Sequence, residues 1–283
     1  MINNFKIDFV GIGAMKAATT WIYECLREHP EIEIAHKDQR SIAFFFKQEP
    51  SQEDIKEYIS YFKKADSLKG DYHVEYLRDG AAMWRMKKHN DDIKIIVCLR
   101  NPLERAWSHY NYYKFYTGKR NISFGQAVEE SPDILDAGLY YKYLKSYFRV
   151  FERDKILILF FEDIASDKVN FIRGIYKFLG VDISFIPSSL DVKINLTAFK
   201  QTLLGNFFHN KILGPFLRNY RWGWEIKKSV IFKKAIARFS EFWGGTKEGK
   251  AVSPEIYSRL EKFYRADIEK LQTLINRDLS RWV

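Results

Sequence analysis

The stretch that most constrains the chain is Phe5 to Pro30, FKIDFVGIGAMKAATTWIYECLREHP. It reads as a short buried strand, a turn of small residues and the first helix. The apolar run at Phe9 and Val10 ends at Gly11 and Gly13, where the backbone can turn tightly and approach a ligand. Lys16 follows, and a helix starting near Ala18 aims its unpaired N–H groups and the positive end of its dipole at the turn, which favours an anion there. Thr19 and Thr20 add hydroxyl donors. A Walker A loop needs Gly before the lysine and Ser or Thr after it, but Met15 and Ala17 hold those places. A dinucleotide fingerprint needs a third glycine where Lys16 stands.

GAMKAATTWIYECLREHP resembles instead the 5′-phosphosulfate loop of sulfotransferases that use 3′-phosphoadenosine 5′-phosphosulfate (PAPS), in which Lys is followed by two small residues and a Thr/Ser pair. Ala18 stands where that motif usually has Gly. A second stretch, IKIIVCLRNPLERAWSHY, supports the resemblance. Ile93 to Leu99 is the nearly continuous aliphatic run of a central parallel strand covered on both faces. The strand ends in Arg100, and Asn101-Pro102 opens a helix with Pro in its first turn. The carboxyl end of a central strand is where open α/β sheets bind ligands. A nucleotide kinase needs an acid there to hold Mg²⁺, and this strand supplies a cation.

The resemblance implies an α/β fold, with a central parallel sheet flanked by helices and a P-loop-like phosphate site. It implies that Lys16, Ala17, Ala18, Thr19, Thr20 and Trp21 hold the 5′ end of PAPS, with adenosine 3′,5′-bisphosphate (PAP) as the product. Arg100 and Ser108 fall on the 3′-phosphate, and Lys250 in TKEGKAVSP, with Lys247 in reserve, closes over it. Lys16 is also the catalytic cation. Heparan-type sulfotransferases carry their base in a Glu-X-X-Phe-Phe pattern. Here RSIAFF places Ser41 at that position, and a serine is no general base at neutral pH. The candidates to replace it are His73, in GDYHVEYL, where imidazole titrates near the working pH, and Asp38 in the HKD turn. Glu162 and Asp163 resemble a Glu-Asp pair that caps and orients rather than reacts, and Asn195 falls where a supporting Asn often stands. The rival reading is a nucleotide-binding protein that keeps the fold and has lost its base.

The chain has 283 residues, 46% of them hydrophobic, which suits one large domain over residues 1–283 rather than two small ones. The net charge of +10 suits an anionic ligand, a nucleic acid or an acidic membrane surface alike. The six histidines are scattered and only two cysteines occur, so no metal site is expected. Cys25 and Cys98 read as buried thiols. With no leader pattern and no apolar run long enough to span a bilayer, the reading is cytoplasmic. Nothing sets the oligomeric state.

Helical stripes are expected over residues 51–66, capped by Ser51, over 80–90, over 134–151, and through Phe171, Ile175, Phe178 and Leu179 to a stop at Gly180. DKILILFFEDI reads as another buried strand, and Phe44 to Phe46 as core. The tyrosine-rich HYNYYKFYTGKRNISF lacks the pattern of an RNA-binding strand and reads as helix beside an acceptor cleft. Residues 205–245 mix aromatics with Lys and Arg. They read as a cap on the acceptor side, within about 200–250, or else as a membrane-surface helix or a nucleic-acid face. The final helix is expected to bury Ile256, Leu260, Phe263, Ile268, Leu271 and Leu274. The acceptor is expected to be a small molecule or carbohydrate bearing a hydroxyl or amine, with no nucleic-acid partner.

Overall fold

The structure, a computed structural model, describes residues 5–37, 40–191 and 253–282. In chain order its main elements are β1 (Phe9–Gly13), α1 (Thr19–Glu28), β2 (Ile32–Ile34), a two-stranded ribbon of β3 (His36–Lys37) and β4 (Arg40–Ser41), α2 (Gln52–Ser60), β5 (Leu68–Tyr72), α3 (Gly80–His89), β6 (Lys94–Leu99), α4 (Pro102–Thr117), α5 (Phe124–Glu130), α6 (Asp133–Asp136), α7 (Tyr140–Val150), β7 (Ile156–Phe160), α8 (Phe161–Ser166), α9 (Lys168–Leu179) and α10 (Pro254–Ile275). Five strands form one parallel sheet in the order β2-β5-β1-β6-β7. The first strand therefore lies in the middle. The chain leaves β1 toward one edge and β6 toward the other, so their carboxyl ends flank a crevice, the usual ligand position of such sheets.

The core follows from the composition of these strands. Phe9, Val10, Ile12, Ile95, Ile96, Val97 and Leu99 are inaccessible to solvent, as a sheet covered on both faces requires. β1 and β5 pack closely enough to need glycine. A Cβ at Gly70 would lie 2.2 Å from the Phe9 ring, and one at Gly11 would lie 2.1 Å from the Tyr72 ring. β7 departs from expectation: it is an edge strand whose three middle residues are only half-buried.

Three helical expectations change for tertiary reasons. The helix capped by Ser51, whose side chain exchanges hydrogen bonds with Asp54, stops at Ser60 rather than residue 66. The Glu33 carboxylate accepts from the Lys63 and Lys64 amides at 3.1 and 3.0 Å, turning the chain back toward the sheet. The stripe over 134–151 splits into α6 and α7 at Gly138, where the Tyr264 ring of α10 presses in and the Tyr264 hydroxyl donates to the Leu135 carbonyl at 2.7 Å. On α10 the buried stripe is Leu260, Tyr264, Ile268, Leu271 and Ile275, while Phe263 is exposed. The stop at Gly180 stands as expected, left-handed with φ 84°. Phe44 and Phe45 are buried and Phe46 is half-buried.

Among the described residues no helix is long and apolar enough to cross a membrane, and no group of three His, Cys, Asp or Glu side chains is placed to hold a metal. Cys25 and Cys98 are free and buried.

Candidate active site

The loop between β1 and α1 is tied to the sheet by the Ala14 amide, which donates to the Cys98 carbonyl at 2.8 Å, and it tightens through Ala17 N–H to Ala14 O at 3.2 Å. Lys16 and Ala18 both take left-handed backbone conformations, with φ 70° and 58°. Such a conformation costs a non-glycine residue about 1–2 kcal/mol, which explains in physical terms why glycine is the usual occupant of the Ala18 position. No side chain caps α1, so the N–H groups of its first turn are left for a ligand.

This loop forms one wall of a cleft of about 740 Å³, through Met15, Lys16, Ala18, Thr19, Thr20 and Trp21. The facing wall comes from the end of β6 and from α4, as Arg100, Glu104, Trp107, Ser108 and Tyr112. Phe161, Ile164 and Lys168 from α8 and α9 close a third side, with Val74 and Leu190. The sequence thus places Lys16, Ala18, Thr19, Thr20, Trp21, Arg100 and Ser108 together. Ala17 differs: it is fully buried and belongs to the core side of the loop.

Lys16 and Arg100 are neighbours. Arg100 Nη1 points at the Lys16 carbonyl at 3.5 Å, its guanidinium lies over the Phe161 ring at 4.4 Å, and Glu104 accepts from its Nε and Nη2 at 3.2 and 2.8 Å. The Lys16 ammonium lies over the Tyr112 ring at 4.5 Å. Burial, followed by the positive charges of Arg100 and Arg105, holds the Lys16 pKa below its usual value.

The Arg100 backbone is fixed from three directions. The Tyr140 hydroxyl donates to the Arg100 carbonyl at 2.9 Å, and the Glu162 carboxylate accepts from the Asn101 amide at 2.8 Å. The Asn101 side chain caps α4 through Leu103 N–H at 2.9 Å and donates to the Trp282 carbonyl at 3.4 Å. Glu162 therefore orients the Arg100 turn, and Asp163 pairs with Arg277 at 2.9 Å. The Trp21 indole N–H donates to the Ser189 and Leu190 carbonyls at 3.1 and 3.3 Å, holding that turn against α1.

His73 sits at the end of β5, half-buried, with its amide on the Gly11 carbonyl at 2.9 Å and its ring against Phe46 and Tyr76. Burial lowers its pKa, with Glu75 opposing, so the ring is neutral at neutral pH. Its Nδ1 accepts from the Glu75 amide at 3.3 Å, so the neutral ring carries its hydrogen on Nε2 in this state. Val74, the next residue, lines the cleft, whereas His73 is not among the described residues of its wall. Asp38, Lys247, Lys250, Asn195 and the segment 205–245 lie outside the described residues, and Ser41 falls on β4.

Sequence reasoning missed Tyr112, Trp107, Phe161 and Lys168 as individual wall residues, although the tyrosine-rich stretch reads as helix beside a cleft. It also missed Arg105, which is fully buried. The Arg105 guanidinium donates to the Ile134 carbonyl and meets His109 Nδ1 at 3.4 Å. Burial, Arg105 and Lys16 push the His109 pKa down to about 4. The spacing of Arg105 and His109, four apart on the apolar side of a helix, was the available signal.

Residues 6–212 match the family profile described as "Sulfotransferase domain". The chain belongs to this sulfotransferase family. Among curated relatives, it is 27% identical over 184 residues to the heparan sulfate glucosamine 3-O-sulfotransferase 3B1 of Mus musculus, covering 60% of this chain and 45% of that enzyme. The chain spans between 22% and 58% of the length of four such relatives. Among solved structures, a sulfotransferase from Alicyclobacillus acidocaldarius superimposes with a TM-score of 0.66 at 22% identity, over 98% of this chain and 99% of that one. Mouse sulfotransferase SULT7A1, solved in complex with PAP, gives a TM-score of 0.51 at 14% identity over 94% and 86%. At these identities the two structures speak to the fold, and the sulfotransferase fold is the P-loop-like α/β arrangement found here.

Proposed function

We propose that this sulfotransferase moves a sulfuryl group from PAPS to a hydroxyl or amine of a small-molecule or carbohydrate acceptor. The observation that carries the proposal is the meeting of Lys16 and Arg100 in one cleft, at the carboxyl ends of the adjacent strands β1 and β6. The donor set fits a nucleotide with anionic groups at both ends of its sugar. On one side are a lysine, two threonines and an uncapped helix N-terminus. On the other are a guanidinium fork and the Ser108 hydroxyl. That a related fold was solved with PAP, and that a curated relative is named for a heparan sulfate glucosamine, supports the same assignment.

When bound, PAPS supplies an activated sulfuryl group. Lys16, with Thr19 and Thr20, neutralises negative charge at the 5′ end, a preorganised electrostatic role at a helix N-terminus. Arg100 and Ser108 hold the 3′-phosphate, with Lys250 assigned to close over it. His73 takes the acceptor proton at Nε2, which requires its Nδ1 to carry the ring hydrogen and release the Glu75 amide; Asp38 is the other candidate. The two buried free cysteines fit a cytoplasmic location.

The test is transfer of radiolabelled sulfate from PAPS to a panel of alcohols, amines and oligosaccharides. Lys16→Ala is expected to lower turnover by about 10²-fold or more with the fold intact by circular dichroism. Normal turnover by that variant contradicts the mechanism. PAP binding without transfer to any acceptor supports the nucleotide-binding rival.

A further inference from the structure

α4 presents Glu104, Ser108 and Tyr112 to the cleft at successive fourth positions, one face of a helix. Glu104 is the anion of this set. Its Oε2 takes both Nε and Nη2 of Arg100, at 3.2 and 2.8 Å, which is the guanidinium edge that would grip two oxygens of a phosphate. The other parts of the fork are also occupied, with Nη1 toward the Lys16 carbonyl and the planar face on Phe161. A phosphate at Arg100 therefore has to displace the Glu104 carboxylate or lie beside a like charge. The exchange needs only a side-chain rotation. The Glu104 backbone is held by the Asn101 cap, while its side chain is 56% exposed and that of Arg100 is 20% exposed.

Resting on the reading of this cleft as a PAPS site, we infer that Glu104 is a built-in competitor for Arg100 that only a phosphate dianion outbids, and that it tempers affinity for the 3′-phosphorylated nucleotide. An exposed carboxylate is a weak partner, and a dianion with three oxygens is a stronger one. A nucleotide with a 3′-phosphate evicts Glu104, and a nucleotide without it leaves the Arg100–Glu104 pair intact. Glu104 thus weakens absolute affinity for the first while leaving the second nearly unchanged, which narrows the ratio between them and eases departure of PAP. The alternative is that Glu104 merely braces Arg100 or favours the first turn of α4 through the helix dipole. That alternative makes the opposite prediction for binding.

The experiment is calorimetric titration of the full chain with PAP and with adenosine 5′-monophosphate (AMP), for wild type, Glu104→Gln and Glu104→Ala, with thermal melts confirming that each variant is folded. Both variants are expected to bind PAP about fivefold tighter than wild type, with the AMP constant changing less than about twofold. Unchanged or weaker PAP binding overturns the inference and leaves Glu104 as a brace. Equal tightening for PAP and AMP also overturns it, as a general effect of removing charge. If neither wild type nor variants bind PAP, the cofactor assignment itself falls, an outcome distinct from PAP binding that Glu104→Gln fails to improve.

Discussion

At the scale of single residues, the proposed chemistry turns on two nitrogens whose pKa values lie below their ordinary positions. His73 is neutral at neutral pH because burial disfavours its imidazolium, and Lys16 is held down by burial and by Arg100 and Arg105. If His73 is the base and Lys16 the stabilising cation, turnover rises from acid pH with a midpoint below 6.5, the ordinary histidine value. It falls again on the alkaline side before 10.5, the ordinary lysine value, as Lys16 loses its proton. His73→Asn should cost about 10²-fold in turnover and remove the acidic limb. A variant with wild-type turnover and the same acidic limb would pass the role to Asp38. The roles suggested for Lys16 and Arg100 could be approached from sequence because each stands at a punctuated boundary, strand to turn and strand to Pro-capped helix. Lys168 and Tyr112 could not, because nothing local marks which face of a helix will meet a cleft built from distant segments.

At the scale of elements, β1 and β5 illustrate how closely the sheet under the site is fitted. Gly70 faces the buried Phe9 ring across the strand pair. Gly70→Ala is expected to destabilise the protein by about 1–3 kcal/mol through overpacking, read as a lower urea midpoint at unchanged slope. An unchanged midpoint would mean that the two strands can separate without penalty. The hydrophobic run of β6 and the stop at Gly180 were readable because their signals are local. The splitting of α6 from α7 was not, since Tyr264 of α10 imposes it from over a hundred residues away. The shift of the α10 stripe from Phe263 to Tyr264 has the same origin: a tyrosine suits burial where its hydroxyl finds the Leu135 carbonyl.

At the scale of the whole molecule, the fold was legible from two motifs because a central parallel sheet and the loops at its carboxyl edge are positioned together. The matching family profile and the solved structures agree with that reading. Buried titratable groups set how this fold responds to acid. Burial lowers the pKa values of His73, His89 and His109, the last to about 4. Each of these imidazoles binds a proton less readily folded than unfolded, so stability present above 6.5 is lost as pH falls toward the folded values. Asp71, raised by burial to about 6, and Asp267, also raised by burial, work in the opposite direction, since each is more readily protonated folded than unfolded. Within that balance His109 alone accounts for a loss of about 2 kcal/mol between pH 6.5 and 5. Thermal melts should show it, and His109→Gln should flatten the slope; a slope as steep in the variant would assign the loss elsewhere. The central claim, that Lys16 and Arg100 grip opposite ends of one doubly phosphorylated adenosine, is tested most directly by comparing calorimetric affinities for PAP and AMP in wild type and Arg100→Ala. The account predicts that wild type prefers PAP by about 10- to 100-fold and that Arg100→Ala erases the preference. Equal affinities in wild type, or a preference that survives Arg100→Ala, would contradict it.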